Sequence, residues 1–68
     1  MQTFGLKDDF IKLGQLLKAA GLVSSGVEAK IVIQDGEVLV NQEICTMRGK
    51  KIMRGDMVSY GQETIKVV

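Results

Sequence analysis

The sequence predicts an α+β fold: two N-terminal helices packed on a small, mostly antiparallel β-sheet. Three observations predict it. Apolar residues recur at helical spacing in two segments before residue 36, and each segment closes on a glycine. After Gly36 the apolar period drops from about 3.6 to two, the alternation of half-buried strands. The chain has 68 residues, 46% hydrophobic and 25% charged, which suits a single globular domain spanning 1–68.

The first helix is read from Leu13, Leu16, Leu17 and Ala20, whose i, i+3, i+4, i+7 spacing lays one stripe along a helix. Asp8 and Asp9 stand before it and are expected at its start, where the helix dipole favours negative charge. Lys18 projects roughly opposite the apolar stripe, and Gly21 is placed to end the helix in the left-handed conformation. Ser25 followed by Glu28 is a capping-box pattern, so the second helix is expected to begin at Ser25 and run to Asp35. Ala29, Val32 and Ile33 form one apolar side of it and Val27 and Ile31 another, which predicts a largely buried helix. Between those sides runs a narrow polar stripe of Gly26, Lys30 and Gln34, with Gly36 as the stop.

Val38 and Val40 then alternate against Leu39 up to Asn41-Gln42, which reads as a hairpin turn between short strands. A primed two-residue turn prefers glycine second, so either Gln42 accepts a positive φ at about 1 kcal/mol or the loop is longer. Arg54-Gly55-Asp56 is a turn, Met57 to Tyr60 a strand, Gly61-Gln62 another turn, and Thr64 to Val68 the last strand.

A chain this short buries only about 60% of its unfolded surface, which predicts modest stability. Cys45 is the single cysteine and histidine is absent, so neither a disulfide nor a Cys/His metal cluster can reinforce the core. Neither a secretory leader nor an apolar run of about 18 residues is present, so the expected location is the cytoplasm, off the membrane.

Catalysis is disfavoured by composition. Without histidine there is no ordinary general base near neutral pH, and Cys45 has no imidazole to generate its thiolate. Cys45, at a strand end, is expected to be a buried structural thiol, with Arg48 nearby as the only argument for reactivity. The eight glycines form neither a phosphate loop nor a dinucleotide fingerprint. Gly26 is the exception among them, because glycine in a helix's first turn costs up to about 1 kcal/mol against alanine. It either lets a phosphate approach the helix start or allows another loop to pack tightly there.

The net charge of +1 conceals an asymmetry. Residues 1–44 carry four lysines against six acids, whereas residues 45–68 carry five cations against two. Arg48, Lys50, Lys51 and Arg54, with Gly49 inside the run, fall within seven residues without an interleaved acid. Like charges so close repel unless an anion lies near, and in so short a domain the run can approach Lys18 and Lys30. Phosphates are held by this kind of clustered Lys and Arg.

The stretch LGQLLKAAGLVSSGVEAKIVIQDGEVLVNQEICTMRGKKIMRGDMVSY, residues 13–60 and about two thirds of the chain, resembles the RNA-binding domain of the ribosomal protein S-four type. It is similar to the small stand-alone bacterial form. The matching residues include Leu17, Gly21-Leu22, Ser25, Ala29-Lys30, Ile33, Gly36-Glu37-Val38, Val40-Asn41 and Gly55-Asp56. The resemblance implies a helix pair on a small bent sheet, the S-four-like αL fold, which binds structured RNA such as ribosomal or transfer RNA. It places Ser25, Gly26 and Lys30 on the RNA face, Arg48, Gly49, Lys50 and Lys51 in the basic loop, and Lys18 at the end of the first helix. Two departures stand out. Gly26 stands where many members have arginine, and Met47 where the stand-alone branch often has a basic residue.

The expected function is therefore a non-catalytic, monomeric RNA-binding module without cofactor or metal, and with a ribosome as a candidate partner. Lys18, Lys30, Arg48, Lys50, Lys51 and Arg54 would engage phosphates, with RNA shape rather than base edges selecting the target. The alternative is a module docking on a ribosomal or acidic protein through the same patch.

Overall fold

In a computed structural model that describes all residues, Met1–Val68, the two helices lie close to their expected bounds, but they are not the first elements. Strands β1 (Gln2–Phe4) and β2 (Ile11–Lys12) precede α1 (Leu13–Ala19) and α2 (Gly26–Gln34). There follow β3 (Val38–Val40), β4 (Glu43–Ile44), β5 (Lys51–Ile52), β6 (Met57–Tyr60) and β7 (Glu63–Val67). The main sheet has the order β1-β7-β6-β3-β4 and is antiparallel except where β1 runs parallel to β7. β2 and β5 form a separate antiparallel pair, with Ile11 opposite Ile52. No helix is long and apolar enough to cross a membrane.

Both helices close by the same device. Gly21 and Gly36 each have φ of 78°. Around Gly21, its own N–H donates to Lys18 O and the Leu22 N–H to Leu17 O; Gly36 and Glu37 repeat the pattern onto Ile33 O and Val32 O. These paired bonds satisfy carbonyls that the helix end would otherwise leave free, and they turn the chain into the next segment.

The helix starts differ from expectation in two respects. Asp8 and Asp9 are exposed and do not reach α1, whose first turn has no acidic residue. Pairing of Ile11–Lys12 with β5 places a strand between them and the helix, and the dipole's influence fades within a turn. At α2, Ser25 Oγ accepts the Glu28 N–H at 3.1 Å, as a capping box requires. The reciprocal arm is shifted by one residue: the Glu28 carboxylate accepts the Ser24 N–H at 2.6 Å and the Ser24 hydroxyl at 3.0 Å. These two donors favour the charged carboxylate and hold its pKa below the ordinary value.

The core joins Leu13, Leu16 and Leu17 of α1 with Ala29, Val32 and Ile33 of α2, and with Val38, Ile52, Val58 and Val67 from the strands. The expectation that α2 is buried on both apolar sides fails. Val27 is 69% exposed and Ile31 53%, because a chain this short has no further layer to cover the outer side of the helix.

The hairpin turn resolves the question left open at Gln42. Asn41 and Gln42 have φ of 51° and 72°, and Val40 pairs with Glu43, so this is a two-residue turn with both residues left-handed. Asn41 also ties the turn to β6: its Oδ1 accepts the Met57 N–H at 3.0 Å and its Nδ2 donates to Asp56 Oδ1 at 3.1 Å. Gln42 makes the turn at a conformational cost that glycine avoids. Gln42→Gly is expected to stabilise the fold by about 0.5 kcal/mol, after the unfolded-state entropy of glycine is subtracted, and to raise Tm by about 2–4 °C. A melting temperature that falls would show that Gln42 contributes something its backbone angle does not reveal.

Candidate nucleic-acid interface

Between α1, the start of α2 and the loop before β5 lies an open groove of about 720 Å³. It gathers residues from three separate parts of the sequence. Lys12, Gly14, Gln15 and Lys18 come from the start and outer side of α1, Ser25, Gly26, Val27 and Lys30 from α2, and Arg48 and Gly49 from the loop. Four cations line it, and no acid does. Lys12, Lys18, Lys30 and Arg48 are all exposed, so their charged ends remain in water beside a low-dielectric wall that focuses the positive potential.

Each element positions its contribution for a local reason. The Schellman turn at Gly21 folds the chain back after Lys18 and brings Ser25 alongside α1. The polar stripe of α2 then directs Gly26 and Lys30, one turn apart, into the same groove. The loop is fixed by two backbone bonds: Leu13 N–H donates to Lys50 O at 2.9 Å and Gly14 N–H to Arg48 O at 3.1 Å. Two of the four free N–H groups at the start of α1 are thereby used within the protein.

Of the expected site residues, Lys18, Ser25, Gly26, Lys30, Arg48 and Gly49 converge on this groove. Lys50, Lys51 and Arg54 do not line it. Lys51 extends its Nζ over the Phe10 ring, 4.9 Å from the centroid. Arg54 donates from one guanidinium nitrogen to the Leu6 carbonyl at 2.7 Å, which binds the β5–β6 turn to the N-terminal segment. Gly26 has nothing within 4 Å of where a Cβ would stand, so the tight-packing explanation for it is overturned. The helix carries a glycine there with open space before it.

Lys12 and Gly14 were not among the expected residues. Lys12 enters because β2 ends on it at the edge of the groove, and a two-residue strand has no legible period. In register it stands opposite Lys51, a like-charge pairing that disfavours the strand contact unless an anion is near. Cys45 is half-buried against the core rather than fully buried, with its Sγ 3.8 Å from the Met47 carbonyl. A second, more apolar cleft of about 560 Å³, lined by Phe4, Leu6, Phe10 and Ile11 among others, contains none of the expected site residues.

The family model described as the S4 domain matches residues 4–68. This chain belongs to the S4 domain family. A full-length relative in Escherichia coli (strain K12), named "Putative RNA-binding protein YbcJ", is 39% identical over 69 residues, which is 100% of this chain and 99% of that protein. A Bacillus subtilis (strain 168) relative, named "Probable ribosome maturation protein RlbA", is 46% identical over 50 residues, covering 74% of this chain and 70% of that protein. The solution structure of E. coli YbcJ, described as revealing a motif involved in RNA-binding, superimposes with a TM-score of 0.77 at 39% identity. It covers 100% of this chain and 87% of that one. The S4 domain architecture thus accounts for the α+β fold, a helix pair with a mostly antiparallel sheet.

Proposed function

We propose that this S4 domain protein is a non-catalytic RNA-binding module, monomeric and cytoplasmic, that grips the phosphates of a structured RNA in the groove between α1 and α2. The observation that carries this reading is the convergence of Lys12, Lys18, Lys30 and Arg48 on one groove with no acid in its lining. Gly26 and Gly49, both with open space where a side chain would be, leave room for a sugar-phosphate backbone to approach. The openness of the groove and the absence of aromatic residues from its lining favour recognition by shape over reading of base edges. The name of the E. coli relative supports RNA as the ligand, and that of the B. subtilis relative supports a place near the ribosome.

The test is the salt dependence of binding to a bulged RNA hairpin. With four groove cations each displacing a condensed counterion, the log-log slope of affinity against salt is expected to approach about −3.6 by the duplex rule. A slope near zero would overturn the phosphate reading.

A further inference from the structure

We infer that Gly14 is a positioning residue: the missing side chain lets the stem of Arg48 lie across the first turn of α1 and so aims the guanidinium into the groove. The inference rests on the reading of that groove as a phosphate-binding surface and adds how its one arginine is oriented. A Cβ built on Gly14 would stand 2.7 Å from Arg48 Cγ and 3.4 Å from Arg48 Cδ. The first distance is shorter than real carbon contacts allow, so something must move. The loop backbone is held against α1, because the Arg48 carbonyl accepts the Gly14 N–H and the Lys50 carbonyl accepts the Leu13 N–H. Arg48 must therefore yield by turning about its own side-chain bonds. Cγ is near the root of the side chain, so a small rotation there carries the guanidinium far from its present position.

Glycine is otherwise a poor choice at this place. Gly14 is buried inside α1, has no positive φ, and occupies a position where alanine is the better helix former. Packing alone gives no reason to avoid a methyl group except the contact with Arg48 itself. An arginine held in one orientation also loses less side-chain freedom on gripping a phosphate than one that must first be ordered, which improves affinity without any new contact.

The experiment compares the full-length wild type with Gly14→Ala, Arg48→Ala and the double variant. Binding is measured by fluorescence anisotropy on a labelled, bulged RNA hairpin, and folding by thermal melting. Arg48→Ala is expected to weaken binding roughly tenfold and to make the salt slope shallower by about 0.9. Gly14→Ala is expected to reproduce most of that loss while melting no lower than the wild type, and to add less than about twofold in the Arg48→Ala background. Should Gly14→Ala melt lower, the double variant must recover the melting temperature, since cutting the arginine back to Cβ removes the atom in conflict. Loss of binding in Arg48→Ala with wild-type binding in Gly14→Ala would overturn the positioning role and leave the groove reading intact. Wild-type binding and slope in Arg48→Ala would overturn both. A Gly14→Ala effect that persists undiminished without the arginine side chain, or a lower melting temperature that the double variant fails to recover, also refutes the inference.

Discussion

Reversal of Lys18 and Lys30 to glutamate together is expected to lower affinity for a structured RNA at about 0.1 M salt by roughly 100- to 1000-fold. Each lysine contributes a charge-assisted contact of about 1.5 kcal/mol or more, and each reversal adds repulsion where attraction stood. The two side chains reach the groove from different helices, so the variant removes the positive potential from both walls at once. The fold should survive. Both residues are exposed, Lys18 in the last turn of α1 gains at most about 1 kcal/mol from the helix dipole, and exposed charges elsewhere contribute little. Lys66→Glu on β7, away from the groove, is the control; it changes the net charge by half as much as the double reversal. Circular dichroism confirms folding, and anisotropy titrations of the three proteins on one RNA give the result. If the control loses half as much binding free energy as the double reversal, in proportion to its charge change, net charge rather than the groove governs binding.

Leu17→Ala is expected to have the largest effect on stability. Leu17 is completely buried at the centre of the core, and its carbonyl accepts the N–H groups of Leu22 and Val23 where the chain turns from α1 toward α2. Truncation of a leucine in such a site costs about 2–5 kcal/mol, of which part is the cavity left behind. A domain of this size has roughly 3–10 kcal/mol in total, at about 0.05–0.15 kcal/mol per residue. The variant is therefore expected to be marginally folded or unfolded at 37 °C, and to lose RNA binding with its structure. Urea denaturation followed by circular dichroism checks it, and a midpoint close to that of the wild type would show that the helix pair contributes far less to the core than its burial indicates.

These two variants separate the two kinds of information in the chain. Elements governed by neighbours in sequence were legible. The two glycine stops, the Ser25 cap, the Asn41-Gln42 turn and the strand from Met57 to Tyr60 follow from local spacing and backbone preference, and the structure places them as expected. The clustering of Lys18, Lys30 and Arg48 was also anticipated, because a helix wheel and a short domain leave few ways to separate them.

What could not be read depends on contacts between distant residues. Gln2–Phe4 becomes a strand only because β7, about sixty residues away, offers an edge for parallel pairing, and three residues carry no period of their own. Pairing of Ile11–Lys12 with β5 moves the acids away from α1 and Lys12 into the groove. The outer side of α2 is exposed because no other element reaches it, a fact about the whole domain that a wheel of nine residues does not contain. Gly14 meets Arg48 only because the loop before β5 crosses the first turn of α1.

By itself, then, the sequence determined the two helices, their stops, the turns and the identity of most of the cations, since these arise from interactions within a few residues. Tertiary structure alone decided which of those cations share a surface, which lysine joins them, and which glycine makes room for Arg48. The physical reason is range: torsional preference and capping act over one turn, whereas convergence of charges is set by the packing of segments that meet only when the core closes.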